Sequence, residues 1–298
     1  MITRLAPSPT ARMHMGNIYA FLVAYIYAKK NNGEVLLRID DLDKARSKQF
    51  FIDYIQYDLD WLGIQWDRGP YFQSERAQAY AQAFQKLSQS GDVYPCFCSR
   101  ATLAANAPHE GEYSTYPGTC LHLSNEERRV ASLMKQPSYR LHVHHSSFEI
   151  DDIFQGHHIF TSDKDAGDFV LQRADGVFAY QLASVVDDEA FGITHVIRGY
   201  DLLQSVPMQG YLIEKLKYHR QQYGHVPLIR NGAHERLSKR AGAPDMQYLQ
   251  DIYSTPEALL GNIAYQTHLV TKDNPISIEE LVECADLFSC YTNSHVIL

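Results

Sequence analysis

Residues Arg12-Met13-His14-Met15-Gly16-Asn17 put a histidine and a glycine two positions apart, between the proline-broken stretch RLAPSPT (residues 4–10) and the apolar run IYAFLVAYIYA (18–28). Where a loop becomes a helix, unpaired N–H groups and a partial positive charge favour phosphate. A histidine there can hydrogen-bond phosphate oxygens as charge develops in a transition state, which phosphoryl and nucleotidyl transfer require. Gly16 would let a flat ring lie against the backbone. A plain helix cap uses the same residues, and a lone His-x-Gly recurs by chance. The second cluster, Arg236-Leu237-Ser238-Lys239-Arg240, has three cations within five residues of a polar, glycine-containing loop. A lysine closing over a triphosphate and a solvated basic turn are its two readings. The third is Cys96-Phe97-Cys98 followed by Tyr116-Pro117-Gly118-Thr119-Cys120. Three soft thiolates and one harder ligand make a tetrahedral zinc site, and three reduced thiols without metal are the plainer account.

These residues need a scaffold, and the composition supplies one. The chain has 298 residues, 45% hydrophobic and 21% charged, enough for a sizeable core in one elaborated domain or two small ones. Its formal charge of −8 gives no bulk attraction to phosphate backbones, although a local basic face is compatible with it. No basic segment with an apolar core opens the chain, and no window approaches ~18 apolar residues, so a cytoplasmic protein without a membrane span is expected. With five cysteines, three of them crowded together, a secreted disulfide framework is disfavoured.

ITRLA (2–6) reads as a buried strand, IYAFLVAYIYAKK as a helix apolar almost all round and closed by Asn31-Asn32-Gly33, and EVLLRI (34–39) as a second strand. Such a βαβ unit pairs its strands in parallel and takes ligands at the strand C-termini. Helices are expected within SKQFFIDYIQYDLDWLG (47–63) and SERAQAYAQAFQKLSQSG (74–91). From Tyr94 to Arg173 the pattern turns irregular, with short β-like runs, and reads as an insertion. The sheet is expected to resume at VFAYQLASVVDD (177–188) and THVIRG (194–199), followed by a helix in LLQSVPMQGYLIEKLKYH, a strand in HVPLI and the loop 231–244. The fold class is therefore α/β: a Rossmann-like parallel-sheet nucleotide-binding core in two halves (1–93 and 174–244), an inserted zinc-containing, acceptor-type subdomain (94–173), and a short helical C-terminal part (245–298). Walker A and G-x-G-x-x-G fingerprints do not occur.

Six segments recur in order: R-x-A-P-S-P-T, H-M-G-N, R-I-D-D-L-D, F-A-Y-Q-L-A, V-I-R-G-Y-D-L and R-L-S-K-R. Over most of residues 2–245 the chain thereby resembles class I glutamyl-tRNA synthetases. The resemblance implies ATP binding by His14, Gly16, Asn17, Ser238 and Lys239, with His14 and Lys239 stabilising charge on the phosphates and magnesium accompanying ATP. It implies L-glutamate binding by Arg4, Leu5, Ala6, Pro7, Ser8, Asp40, Tyr180 and Arg198. Asp40 stands where the family usually has glutamate contacting the substrate's amino group, one methylene shorter. Only 298 − 239 = 59 residues follow Lys239, too few for the family's anticodon-binding region. That layout resembles the truncated glutamyl-queuosine branch, whose members attach glutamate to the queuosine base at the wobble position of tRNA(Asp). The branch implies a structural zinc on Cys96, Cys98, Tyr116 and Cys120, with His122 competing for the fourth position, and a monomer is expected. A short synthetase charging tRNA(Glu) and a catalytically silent paralogue binding glutamate or nucleotide are the alternatives; Asp40 and Arg236, each altering a motif, keep the latter open.

Overall fold

The computed structural model describes residues 1–99, 102, 116–230, 244–287 and 295–297. Strands β1 (Ile2–Leu5), β2 (Glu34–Ile39) and β3 (Arg68–Phe72) form a parallel ladder in that order. After its exposed first residue, β2 buries every side chain, as a strand covered on both faces must. Helix α1 (Met15–Lys30) makes the crossover from β1 to β2 and buries ten of its sixteen side chains. It stops at Asn31; Asn32 turns to φ +51° and the Gly33 N–H returns to the Ala28 carbonyl at 2.8 Å, which satisfies a helix-end acceptor. Helices α2 (Gln49–Trp61) and α3 (Ala77–Ser88) fall inside the expected segments. The strand β3 between them was not anticipated. Its Arg-Gly-Pro-Tyr-Phe sequence contains a residue without an N–H, tolerated because β3 is an edge strand whose register with β2 shifts between Leu36 and Arg38.

The irregular stretch is antiparallel. β4 (Val93–Cys96), helix α4 (Asn125–Met134) and β5 (Ser138–Leu141) precede the hairpin of β6 (Ser147–Asp152) and β7 (Gly156–Thr161) and then β8 (Phe169–Gln172); a separate sheet runs β4-β5-β8. VFAYQLASVVDD, expected as a strand, instead forms helix α5 (Tyr180–Ala190). Residues Leu182 to Asp188 are all buried because α5 packs among α3 and the later helix α6 (Val206–Leu216) through Tyr80, Leu87, Val186 and Leu212. A helix enclosed on most sides loses the polar stripe that would mark its period, and a short apolar run then reads equally well as a strand.

β9 (His195–Gly199) and β10 (Gln222–Val226) pair in parallel and lie along the free edge of β1, where the Thr194 N–H donates to the Ile2 carbonyl at 2.9 Å and the Thr3 hydroxyl to the His195 carbonyl at 2.9 Å. Five parallel strands thus run in the spatial order β3-β2-β1-β9-β10. β11 (Leu228–Arg230) follows, then α7 (Met246–Ile252), α8 (Pro256–Gln266) and α9 (Ile278–Cys284), helical as expected after Asp245. A closing strand β12 (His295–Ile297), which pairs in parallel with β11, was not foreseen. Ser238 and Lys239 lie outside the described residues. Among the described residues no helix is long and apolar enough to cross a membrane.

Candidate active site

Beyond the C-terminal ends of β1, β2, β9 and β10 opens a cavity of about 640 Å³, the place where a parallel sheet takes its ligand. Ten residues singled out from sequence line it together: Arg4, Ala6, Pro7, Ser8, His14, Gly16, Asn17, Asp40, Tyr180 and Arg198. Leu5 does not; its side chain points into the core, fully buried. The strand ends are tied by the Asp40 N–H, which donates to the Pro7 carbonyl at 2.9 Å.

His14 caps α1. The Gly16 N–H donates to its Nδ1 at 3.1 Å, while the His14 N–H donates to Asn17 Oδ1 at 3.2 Å. An Nδ1 that accepts leaves the proton of the neutral ring on Nε2, so the tautomer presents a donor there. A Cβ on residue 16 would lie 3.1 Å from His14 Cε1 and 3.2 Å from Nδ1; glycine is what lets the imidazole lie flat on the backbone. The preceding loop is pinned by Arg12, which donates to Asp58 on α2 at 2.8 Å and to Gln247 on α7 at 2.6 Å.

The floor of the cavity is a buried charge network. Arg38, almost wholly buried, forks onto Asp40 at 2.6 and 3.1 Å and reaches Asp188 at 2.8 Å. Arg4 donates to Asp188 at 3.4 Å, and Asp187 accepts from Arg76, from the Tyr80 hydroxyl at 2.8 Å and from Gln73 Nε2 at 2.8 Å. Three arginines face three aspartates, so these charges balance without a ligand. Burial pushes the Asp40 carboxyl above its ordinary value in spite of the Arg38 fork. Balanced pairs of this kind are costly to break, about 3–5 kcal/mol when one partner is removed.

Arg198 is different. Its Nε donates to His225 Nε2 at 3.0 Å, Nη1 to Gln209 Oε1 at 2.9 Å and to the Tyr180 hydroxyl at 3.4 Å, and Nη2 to the Leu202 carbonyl at 3.0 Å. His225 in turn donates from Nδ1 to Asp152 Oδ2 at 2.5 Å, and both side chains are fully buried. Burial drives the His225 pKa down to about 4, so the ring is neutral near pH 7. Asp152 sits behind it as the last residue of β6. Among the described residues no carboxylate pairs with the Arg198 guanidinium, which is only 5% exposed yet lines the cavity. A buried cation without a counter-ion is what an anionic ligand completes.

The thiols converge away from this cavity. The sulfurs of Cys96, Cys98 and Cys120 lie within 4.8 Å of one another. Cys98 Sγ is 3.6 Å from Cys120 Sγ, and the Tyr116 hydroxyl stands 3.4 Å from Cys96 Sγ and 3.3 Å from Cys98 Sγ. Arms of ~2.3 Å in a tetrahedral thiolate site give edges of roughly 3.8 Å between sulfurs, and slightly less to oxygen; the group fits a zinc-sized ion. Burial alone would raise the Cys96 thiol, but the Tyr116 hydroxyl and Arg140 outweigh it and bring it to about 7. His122 is exposed and outside the cluster. The three thiols could hold a metal ion.

Arg38, Gln73, Asp187, Asp188 and His225 were not assigned roles from sequence. Arg38 stands inside a quoted motif and the aspartates at the end of a quoted segment, but a charge within an apolar element signals little until its distant partner, here Asp188 for Arg38 and Arg76 for Asp187, is known. His225 carried no signal beyond membership of a strand.

A family model described as tRNA synthetases class I (E and Q), catalytic domain, matches residues 1–290. The chain is 41% identical over 297 residues to a glutamyl-Q tRNA(Asp) synthetase of Symbiobacterium thermophilum, covering 95% of this chain and 92% of the relative. It is 35% identical to glutamate–tRNA ligase 2 of Alkalilimnicola ehrlichii over 96% of its own length but 62% of that ligase. Among solved structures, a glutamate tRNA ligase from Elizabethkingia meningosepticum in complex with its amino acid superposes with a TM-score of 0.82 at 26% identity, covering 100% of this chain and 66% of that one. With a sheet-end cavity that gathers ten of the residues expected from sequence, and a family match that spans nearly all of the sequence, the chain belongs to the class I tRNA synthetases of the E and Q type, a family of ligases.

Proposed function

We propose that this chain activates L-glutamate with ATP and transfers it to the queuosine base at the wobble position of tRNA(Asp). The observation that carries the amino-acid reading is Arg198, a buried guanidinium with no counter-ion among the described residues, in a cavity where the lining charges Arg4 and Asp40 are paired to Asp188 and Arg38. Glutamate brings two carboxylates and one ammonium. Arg198 and Tyr180 hold one carboxylate; Arg4 and Ser8, at the end of β1, hold the other; Asp40 receives the ammonium. Arginine suits the carboxylates because its planar fork matches them.

The α-carboxylate oxygen attacks the α-phosphorus of ATP, the bond to the bridging oxygen breaks, and pyrophosphate leaves. A hydroxyl of the acceptor then attacks the acyl carbon, loses its proton, and AMP departs. His14, through its Nε2–H, receives the phosphates where Gly16 and Asn17 let the nucleotide approach the start of α1, and Lys239 clamps them; magnesium arrives with ATP as part of the substrate. Positioning and charge stabilisation supply the rate, with no side-chain nucleophile. The thiols of Cys96, Cys98 and Cys120, with Tyr116 as fourth ligand, hold one zinc ion, which braces the irregular segment and takes no part in the chemistry.

The acceptor follows the relatives named glutamyl-Q tRNA(Asp) synthetase, at 39–41% identity over most of their length. An unstacked anticodon base can enter a pocket, and the cyclopentene diol of queuosine offers a hydroxyl much as a terminal ribose does. The test charges queuosine-containing tRNA(Asp), unmodified tRNA(Asp) and tRNA(Glu) with labelled glutamate and maps the label by nuclease digestion. Label on the anticodon fragment of the modified tRNA alone is expected. Label on the terminal adenosine of tRNA(Glu), with that fragment blank, would establish a short conventional synthetase instead.

A further inference from the structure

Gln73 occupies the first position of the single turn that follows β3, at the floor of the cavity beside Asp40. The neighbouring residues are zipped together: Asp41 accepts from the Ser74 N–H at 2.8 Å and from the Ser74 hydroxyl at 2.7 Å. With Ile39 and Phe72 paired at the ends of β2 and β3, positions 40 and 73 follow side by side. Gln73 is fully buried, and its Nε2 donates to Asp187. That carboxylate has only acceptors to offer, so it dictates which end of the amide faces it. The other end, Oε1, is buried and has no hydrogen-bond partner among the described residues. A carbonyl left so is costly unless a ligand or water completes it.

The substrate supplies the missing group. An ammonium has three N–H donors, and Asp40 meets it with a carboxylate one methylene shorter than the family's usual glutamate. Asp40 is moreover engaged at both oxygens by Arg38. One short, already occupied carboxylate is a poor sole acceptor for a charge with three donors. Resting on the glutamate-activating reading above, we propose that Gln73 is a substrate ligand: its Oε1 accepts from the amino group of the bound amino acid and makes up the reach that Asp40 lacks. The pocket then tells an α-amino diacid from the same diacid without nitrogen by two acceptors, one charged and one neutral.

The experiment compares calorimetric binding of L-glutamate with that of glutarate, which keeps both carboxylates and lacks the amino group, to the full chain and to Gln73→Met. The wild type should prefer glutamate. In Gln73→Met that preference should fall by roughly ten- to a hundredfold, the usual range for a hydrogen bond to a charged group, with glutarate affinity changed by less than about threefold. Equal weakening of both ligands would mean a packing role and overturn the assignment. So would a preference that survives the substitution. If Gln73→Met does not fold, Gln73→Asn, which keeps the amide and withdraws it by one methylene, must show the same selective loss for glutamate; its absence counts against the proposal. A wild-type chain that binds neither ligand overturns the glutamate reading together with this assignment, whereas intact discrimination in the variant overturns the assignment alone.

Discussion

Replacing His225 with phenylalanine separates what the buried relay does for stability from what it does for Arg198. In the folded chain the ring is neutral, with its pKa lowered to about 4 by burial; in the unfolded chain it titrates near ~6.5. As pH falls from 6.5 to 4 the unfolded state takes up a proton that the folded state refuses, so stability is fully present above pH 6.5 and declines below it. About 2.5 pKa units at ~1.36 kcal/mol each amount to about 3 kcal/mol. The His225→Phe variant lacks this loss but starts lower: Arg198 Nε loses its acceptor and Asp152 loses the Nδ1–H donor, together about 2–4 kcal/mol at pH 7.5. Asp152, no longer paired with a histidine, also protonates more readily when folded, which favours the variant on acidification. The handicap should therefore shrink by about 3 kcal/mol between pH 7 and pH 4. Urea unfolding followed by circular dichroism at half-unit pH steps measures it. A handicap that is the same at every pH would show that the ring is not a buried neutral group, and the account of how Arg198 is held would fall with it. Glutamate-dependent pyrophosphate exchange at pH 7.5 adds the functional side: with its guanidinium loosened, the variant should show a KM for glutamate raised about tenfold and an unchanged KM for ATP.

Gly16→Ala should leave the melting temperature nearly unchanged, because the helix propensity gained with alanine, about 1 kcal/mol, is offset by loss of the His14 cap, while adenylate formation drops about tenfold or more as a Cβ at 3.1 Å displaces the His14 ring; unaltered pyrophosphate exchange would exclude the flat-ring geometry as a requirement. Purified protein should carry about one zinc per chain, measurable by atomic absorption. Cys98→Ser should lose the metal and melt earlier, Tyr116→Phe should weaken metal retention, and His122→Ala should keep it, since His122 stands outside the sulfur cluster. A zinc-free wild type of full stability would refute the site.

What could be read beforehand was chemistry that residue types announce by themselves. A histidine and glycine at a helix start, a paired cysteine motif and a buried crossover helix each have few physical uses, and the structure puts them at a helix cap, a sulfur cluster and the β1-to-β2 crossover. VFAYQLASVVDD failed for the opposite reason: a helix enclosed by α3 and α6 shows no stripe, and its two aspartates look like the polar end of a strand until Arg4, Arg38 and Arg76 are brought to them. A buried charge is intelligible only as half of a pair, and every pair on the cavity floor except the Arg38–Asp40 fork joins distant parts of the chain. That exception is instructive. At the level of sequence, Asp40 is simply a short substitute for a glutamate. In the fold it is the near end of an Arg38 fork that leaves little of it to spare, and the orphaned carbonyl of Gln73 stands beside it. The departure and its compensation are thirty-three positions apart and meet because β2 and β3 pair at Ile39 and Phe72 and Asp41 and Ser74 are bonded beyond them, so neither residue is legible without the other.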